Sequence, residues 1–253
     1  MKSILTLALA AAISGPAFSA DLVITKEKHS DAVKMMGQER PAKDTKEVVW
    51  IGKDHMRVEE GDKVTIVRPD LKKLYILDTK AKTRTSLDLP LDLKKYIPAD
   101  MAPMVEQMMS QIKVTVTPTT ETKKIKDWNA TKYTMAVTLP MGGAATQEMW
   151  VTKDVGGDRA GWQDMFAALM SASPFSAAMA AEMKKVDGLP LLSERTQTMM
   201  GSEMKSKEVV VSVEEKEAAA DFYEPPKDFT DKPFDPMAEM HMGGPGGRAP
   251  KGG

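Results

Sequence analysis

The sequence predicts a mainly β, α+β protein: a curved antiparallel sheet or half-barrel of about eleven strands covered by methionine-rich helices. Short extended runs recur at a spacing of roughly ten residues, tight turns separate them, and two helical stretches interrupt the series. Connections this short allow antiparallel hairpins and are too short for the crossovers that join parallel strands. A sheet with one apolar face needs a cover, which the helices are predicted to supply.

The N-terminal residues predict a secretory signal peptide over residues 1–19. Lys2 precedes an apolar run at residues 4–13, and small residues follow at 17–20. The alternative is a membrane anchor, but the run is shorter than the roughly 20 apolar residues that span a bilayer. We therefore expect a periplasmic protein with a folded domain over residues 20–230 and no transmembrane segment after cleavage.

Composition excludes several classes of function. Basic and acidic residues number 35 and 36, which gives little electrostatic attraction to nucleic acid or anionic membrane. The chain has no cysteine, so its stability must come from an apolar core without disulfides. It has no Gly-x-Ser-x-Gly, no phosphate-binding glycine loop and no His-Glu-x-x-His. We expect a protein that is not an enzyme, with no cofactor and no nucleic-acid partner.

An opening strand at Leu22–Thr25 and a first meander from Val48 to Leu77 are predicted from short runs of alternating apolar residues. Turns at Gly52–Asp54, Glu60–Asp62 and Arg68–Asp70 separate the runs. The alternation predicts that one face of the sheet carries Met56, Val58, Val64, Ile66, Leu74 and Ile76. The other face is predicted to carry His55, Arg57, Glu59 and Thr65.

Two helical stretches follow the first meander, before and after a second one. Asp100–Ile112 places apolar residues at helical spacing, and residues 158–186 carry a second apolar stripe that restarts at Ser173-Pro174. Four methionines on these stripes are Met104, Met108, Met165 and Met170. The chain has 21 methionines, which either fill gaps between helix and sheet or form a surface that adapts to variable apolar ligands.

The second meander contains the clearest strand of the chain. In Thr131–Leu139, the side chains of Tyr133, Met135, Val137 and Leu139 alternate with polar or small ones, so these four are predicted to share a face. Strands are also predicted at Lys113–Thr117 and Gln147–Val151, and a hairpin joins Glu194–Met200 to Lys205–Glu214.

Four segments carry a resemblance to a known family: Trp50–Leu87, Ile125–Tyr133, Val186–Leu191 and Asp221–Pro226. Together they resemble an uncharacterised family of exported bacterial proteins, a domain of unknown function that is related in fold to the LolA/LolB lipoprotein carriers. The Arg-Pro-x-x-Phe-x-Trp strand motif of those carriers is absent, and only Arg57 stands at a comparable position.

The resemblance implies a periplasmic carrier whose half-barrel binds a lipid or lipidated polypeptide. The residues implied to line the ligand are Met56, Val58, Val64, Ile66, Leu74, Ile76, Tyr133, Met135 and Val137. Met104, Met108, Met165 and Met170 would form the lid, and Arg57 would contact a polar head group or a lid carbonyl. The alternative is a filled core with solvated Arg57, in a cell-envelope module for protein interaction or stress sensing.

The C-terminal residues 231–253 are rich in Met, Gly and Pro and predict a disordered tail. Met237, Met240, His241 and Met242 are soft or borderline ligands at close spacing, a set that would suit Cu(I). A flexible low-complexity tail without metal is the favoured interpretation, because such sets arise easily in a methionine-rich chain.

Overall fold

The computed structural model describes residues 20–35, 38–92, 95–155, 176–199, 201–219 and 221–235. The strands in these ranges are β1 (Asp21–Ser30), β2 (Val33–Met35), β3 (Gln38–Arg40), β4 (Lys43–Ile51), β5 (Met56–Glu60), β6 (Lys63–Arg68), β7 (Lys73–Asp78), β8 (Thr83–Asp88), β9 (Lys113–Ile125), β10 (Trp128–Thr138), β11 (Ala144–Thr152), β12 (Leu189–Met199), β13 (Ser202–Lys216) and β14 (Thr230–Asp231). The α-helices in the same ranges are α1 (Ala102–Ser110) and α2 (Ser176–Met183).

One curved, open sheet dominates the described part of the chain. Its 12 strands follow the order β14-β8-β7-β6-β5-β4-β1-β13-β12-β11-β10-β9, and β2 and β3 form a separate hairpin. Every pair is antiparallel except the short β14, which runs parallel to β8 at the edge. The predicted antiparallel, mainly β architecture is therefore confirmed.

Strand pairing defines one continuous face of the sheet, which we call the core face. Directly opposite residues in an antiparallel pair share a face. Tyr133 lies opposite Met149, which lies opposite Ser193, and the row continues through Glu208, Lys28 and Thr45. Along β1 the same face carries Leu22, which leads through Ile51 to Met56. The core face therefore includes these predicted residues: Met56, Val58, Leu74, Ile76, Tyr133, Met135 and Val137.

Val64 and Ile66 do not share this face, so that part of the predicted alternation is wrong. The turn at Gly61 sets Glu60 opposite Lys63, which places Ile66 opposite Arg57 and Thr65 opposite Val58. Val64 and Ile66 therefore lie on the face of Arg57 and Glu59, and Thr65 lies on the core face. The cause is the two-residue turn, which pairs even-numbered residues of β5 with odd-numbered residues of β6.

The opposite face of β4–β7 is covered by residues 221–229, which we call the strap. Val64, Ile66 and Leu77 are buried there against Tyr223, and Phe222 and Phe229 pack beside them. After the strap, the backbone N–H of Thr230 donates to the Lys82 carbonyl at 2.9 Å, and β14 begins. The strap therefore closes an apolar surface that would otherwise face water.

The helices within the described residues do not cover the sheet as predicted, and residues 158–175 of the second predicted helical stretch lie outside those residues. None of the side chains of α1 is buried, whereas Leu89, Leu91 and Tyr96 pack against the core face. Helix α2 lies at the edge strand β9, where Glu182 accepts a 2.7 Å hydrogen bond from the Val116 N–H. In the part of the chain that the structure describes, no helix is both long and apolar enough to cross a membrane.

Candidate functional site

One end of the core face combines methionine side chains with valine, other aliphatic residues and Tyr133, and we call it the methionine end. Strands β10 and β11 bury Tyr133, Met135, Val137 and Met149, each less than 9% exposed. From α2, Met179 and Met183 pack against this cluster. The alternation of β10 brings together the three residues that the sequence predicted there. Methionine side chains are unbranched and polarizable, so they repack at low cost around a guest.

Helix α1 leads directly into the methionine end. The helix ends at Ser110, and Ile112 is buried in the same cluster at 8% exposure. Met104 and Met108, on the helix itself, are 51% and 42% exposed. Among the described residues, the large hydrophobic side chains exposed to this degree are these two and Leu71. Two exposed apolar side chains therefore lie on the helix that leads into the methionine end through Ile112.

A polar row adjoins the methionine end on the same face. Met135 lies opposite Gln147, and Gln147 lies opposite Arg195. Arg195 donates a 3.0 Å hydrogen bond to the side-chain oxygen of Gln197, two residues along β12. Desolvation lowers the pKa of Arg195 below its usual value, and the nearby Glu208 opposes that shift only in part. Sequence reasoning missed this arginine, because only pairing with β11 places it beside Met135.

Further along the core face, four charged side chains neutralise one another. Lys26 donates to Glu47 at 2.8 Å, and Lys28 contacts Glu47 at 3.2 Å and Glu60 at 2.8 Å. Burial alone would lower the pKa of Lys28, but Glu47 and Glu60 outweigh it and hold that pKa above its usual range. Burial likewise opposes ionisation of Glu47, yet the two lysines keep its pKa below the ordinary value. This cluster is a matched set of ion pairs.

Arg57, the predicted polar mouth, lies on the strap face and away from the methionine end. Its guanidinium donates to the carbonyl of Phe222 at 2.9 Å and lies 4.4 Å from the centre of that ring. Glu59 accepts a second hydrogen bond from Arg57 at 2.6 Å. Arg57 therefore holds the strap in place, on the face opposite Met56 as the alternation predicted, and its contact with a ligand head group stays a prediction.

The strap is anchored by a buried contact with the first strand. The Tyr223 hydroxyl donates to the Asp21 carboxylate at 2.6 Å, and both residues are less than 9% exposed. The His55 ring stacks on Tyr223 with centroids 3.8 Å apart, and its Nε2 lies 3.7 Å from Asp21. A Cβ on Gly52 would lie 2.0 Å from His55 Nε2, so glycine leaves room for that ring.

Residues 30–229 match the family described as Domain of unknown function (DUF4412). The chain belongs to this family. This match supports the resemblance to an uncharacterised family that the sequence showed. The description of the family names no activity. No curated protein matches the chain.

Solved structures give distant likenesses. PNGF-II is 15% identical with a TM-score of 0.39, over 87% of this chain and 32% of that one. MucB is 11% identical with a TM-score of 0.35, over 84% of this chain and 60% of that one. A Vibrio parahaemolyticus domain described as outer membrane lipoprotein-sorting is 9% identical with a TM-score of 0.28, over 80% and 89%. The chain spans about a third of PNGF-II and under two thirds of MucB, and TM-scores this low support no functional inference.

The remaining predicted residues divide between two buried clusters and the undescribed ranges. Met56 and Leu74 are almost fully buried on the core face, with Val58 and Ile76 packed against them. Outside the described residues lie the predicted signal peptide and the following side chains: Met165, Met170, Met237, Met240, His241 and Met242. Within the described ranges, no three His, Asp or Glu side chains are grouped so that they could hold a metal ion. The Cu(I) interpretation of the tail stays a prediction.

Tyr223→Phe is expected to lower the free energy of unfolding by about 1–3 kcal/mol near neutral pH, because buried Asp21 loses its donor. Burial, and then the bond to Asp21, raise the pKa of Tyr223 above its ordinary value. The unfolded chain therefore loses this proton first, and stability falls as the pH rises above about 10. The variant should show a flatter fall, measured by urea unfolding at about pH 7 and pH 11. Tyr96→Phe is the control, and equal alkaline slopes for the wild type and Tyr223→Phe would contradict the assignment.

Proposed function

We propose that the protein is a periplasmic binding or carrier protein, without catalytic activity, that holds an acyl chain or a lipidated polypeptide against the methionine end. The observation that carries this proposal is the exposure of Met104 and Met108 on α1, the helix that leads through Ile112 into the methionine end. Exposed apolar side chains next to a deformable apolar cluster are typical of ligand and partner surfaces. The predicted signal peptide supports the compartment.

The energetics favour an acyl chain as the guest. Each buried CH₂ contributes about 0.8 kcal/mol, so an enclosed chain of about a dozen carbons binds without any charged contact. Met179 and Met183 of α2 border the same cluster and can change rotamer to admit the chain. Helix α1 has no buried side chain to release when a ligand packs against it.

The double substitution Met104→Glu with Met108→Glu is expected to weaken binding of a fluorescent twelve-carbon fatty acid at least about tenfold, because two charges replace apolar contacts. Fluorescence titration measures the dissociation constant. The thermal midpoint should stay close to that of the wild type, since neither side chain is buried. Leu71→Glu is the matched control, because Leu71 is exposed to the same 51% as Met104 but lies between β6 and β7.

Two results would contradict this proposal. One is equal binding by the wild type and the double variant, which would place the acyl chain elsewhere. The other is the absence of acyl binding by the wild type, together with no lipid in native mass spectra of protein purified from its host.

A second candidate is a cell-envelope module for protein interaction or stress sensing. Its support is the burial of the residues first predicted to line a cavity: Met56 is 2% exposed, Leu74 1% and Ile66 0%. A sheet packed on both faces over β4–β7 is a solid scaffold. Capture of one stoichiometric envelope protein by purified, lipid-free protein would favour this candidate over the carrier.

A further inference from the structure

Arg195 lies on the core face within reach of the methionine end. Its row contains Gln147 on β11 and Met135 on β10, in direct register. Neighbouring strands are about 4.8 Å apart, so Arg195 and Met135 stand roughly 10 Å from each other across one strand. A single amphipathic ligand can therefore contact both residues. On the neighbouring row, the amide of Gln197 lies opposite the buried Met204.

Among the described residues, Arg195 lacks an ion-pair partner within salt-bridge distance, and its side-chain hydrogen bond goes to the neutral Gln197. Glu208 attracts Arg195 electrostatically, and it lies on β13 opposite Lys28 of β1. Arg195 thus keeps most of its five donors for another acceptor, and a guanidinium binds a carboxylate or a phosphate through two parallel hydrogen bonds.

We propose that Arg195, with Gln147 and Gln197, binds the anionic head group of an acyl ligand whose chain lies against the methionine end. This inference rests on the proposed function and specifies its ligand class: a fatty acid or an alkyl phosphate monoester, each carrying a negative charge. Arg195 is exposed on the core face, so an anion can reach its guanidinium from solution. The two glutamines would orient the head group through their amide N–H donors.

The test is a comparison of ligands that share a chain and differ in head group. Arg195→Gln is expected to bind dodecanoate and dodecyl phosphate roughly ten- to a hundredfold more weakly than the wild type, and methyl dodecanoate equally well. Arg195→Lys should recover most of the affinity for dodecyl phosphate, since it restores the charge. Lys207→Gln is the matched control, because Lys207 is on the opposite face and pairs with Glu194 at 3.0 Å.

The outcomes separate this inference from the proposed function. If methyl dodecanoate binds and Arg195→Gln leaves all affinities unchanged, the head-group site is refuted while the acyl carrier stands. If no twelve-carbon ligand binds the wild type, the result contradicts the proposed function itself and not only the head-group site. Inorganic phosphate is expected to bind the wild type at least a hundredfold more weakly than dodecyl phosphate, and equal binding would show a site for free phosphate and overturn the assignment to a lipid head group.

Discussion

Gly188→Ala is expected to lower the free energy of unfolding by about 4 kcal/mol, the sum of backbone strain and overpacking. Gly188 has a φ of +136°, and a Cβ there would lie 2.1 Å from the carbonyl oxygen of Thr152. That oxygen belongs to the backbone and cannot move aside as a side chain would. Thr152 pairs with Leu189, the first residue of β12, so the clash falls where β11 and β12 join. Urea unfolding at equilibrium measures the change.

Gly61→Ala is the matched control for this substitution. Gly61 also has a positive φ, +59°, but nothing lies within 4 Å of a Cβ built on it. Its replacement should cost only the strain of a left-handed alanine, about 1 kcal/mol. Equal losses for the two variants would mean that the close approach to Thr152 contributes nothing, and the pairing of β11 with β12 at this point would need revision.

Ile66→Ala is expected to destabilise the protein by about 3 kcal/mol, because it leaves a cavity beneath the strap. The side chain is 0% exposed and packs in the cluster that contains Tyr223. The strap should also loosen, so we expect faster proteolysis between β13 and β14 than in the wild type. Thermal unfolding and limited proteolysis measure the two effects.

Ser86→Ala provides the comparison for Ile66→Ala. Ser86 belongs to the same row, since Ile66 lies opposite Tyr75 and Tyr75 opposite Ser86, but its side chain is exposed. Its substitution should change stability by less than about 0.5 kcal/mol. If Ile66→Ala changed the stability only slightly, and proteolysis were faster in both variants, the strap would not depend on its contact with Ile66.

The sequence predicted the antiparallel sheet and the face of β10 because both follow from local patterns. Tyr133, Met135 and Val137 alternate with Thr134 and Ala136, and a period of two leaves little choice of face when one side is apolar. The order of strands was harder to predict. β1 pairs with β13 across almost the whole chain, and no local pattern specifies such a partner.

The faces of β6 could not be predicted, because alternation within a strand does not say which face of its neighbour it matches. Val64, Ile66 and Val67 are all buried, since the core face covers one side of β6 and the strap covers the other. A strand buried on both sides loses the polar alternation that would reveal its register. The turn at Gly61 sets the register of β6 against β5, and this register decides on which face each residue of β6 lies.

The candidate site was predicted in part. The sequence identified Met104 and Met108 as apolar positions of a helix, but the helical stripe alone did not show that they would stay exposed. Arg195 was missed for a different reason: in the sequence it stands between Glu194 and Thr196 and reads as one more charged residue of a solvated strand. Its importance depends on Gln147 and Met135, which lie 48 and 60 residues away and are brought beside it only by strand pairing.

The position of β1 between β4 and β13 has a consequence for how the chain acquires its structure. The hairpins of β4–β8 and of β9–β13 are sequence-local and can assemble independently, whereas β1 and β13 meet only after all the intervening strands have been synthesised. In a chain that emerges from its N-terminus, the edge of β1 that pairs with β13 therefore stays unpaired until β13 is synthesised. Any chaperone that protects this protein should recognise that unpaired edge, and its hold should end when β13 docks.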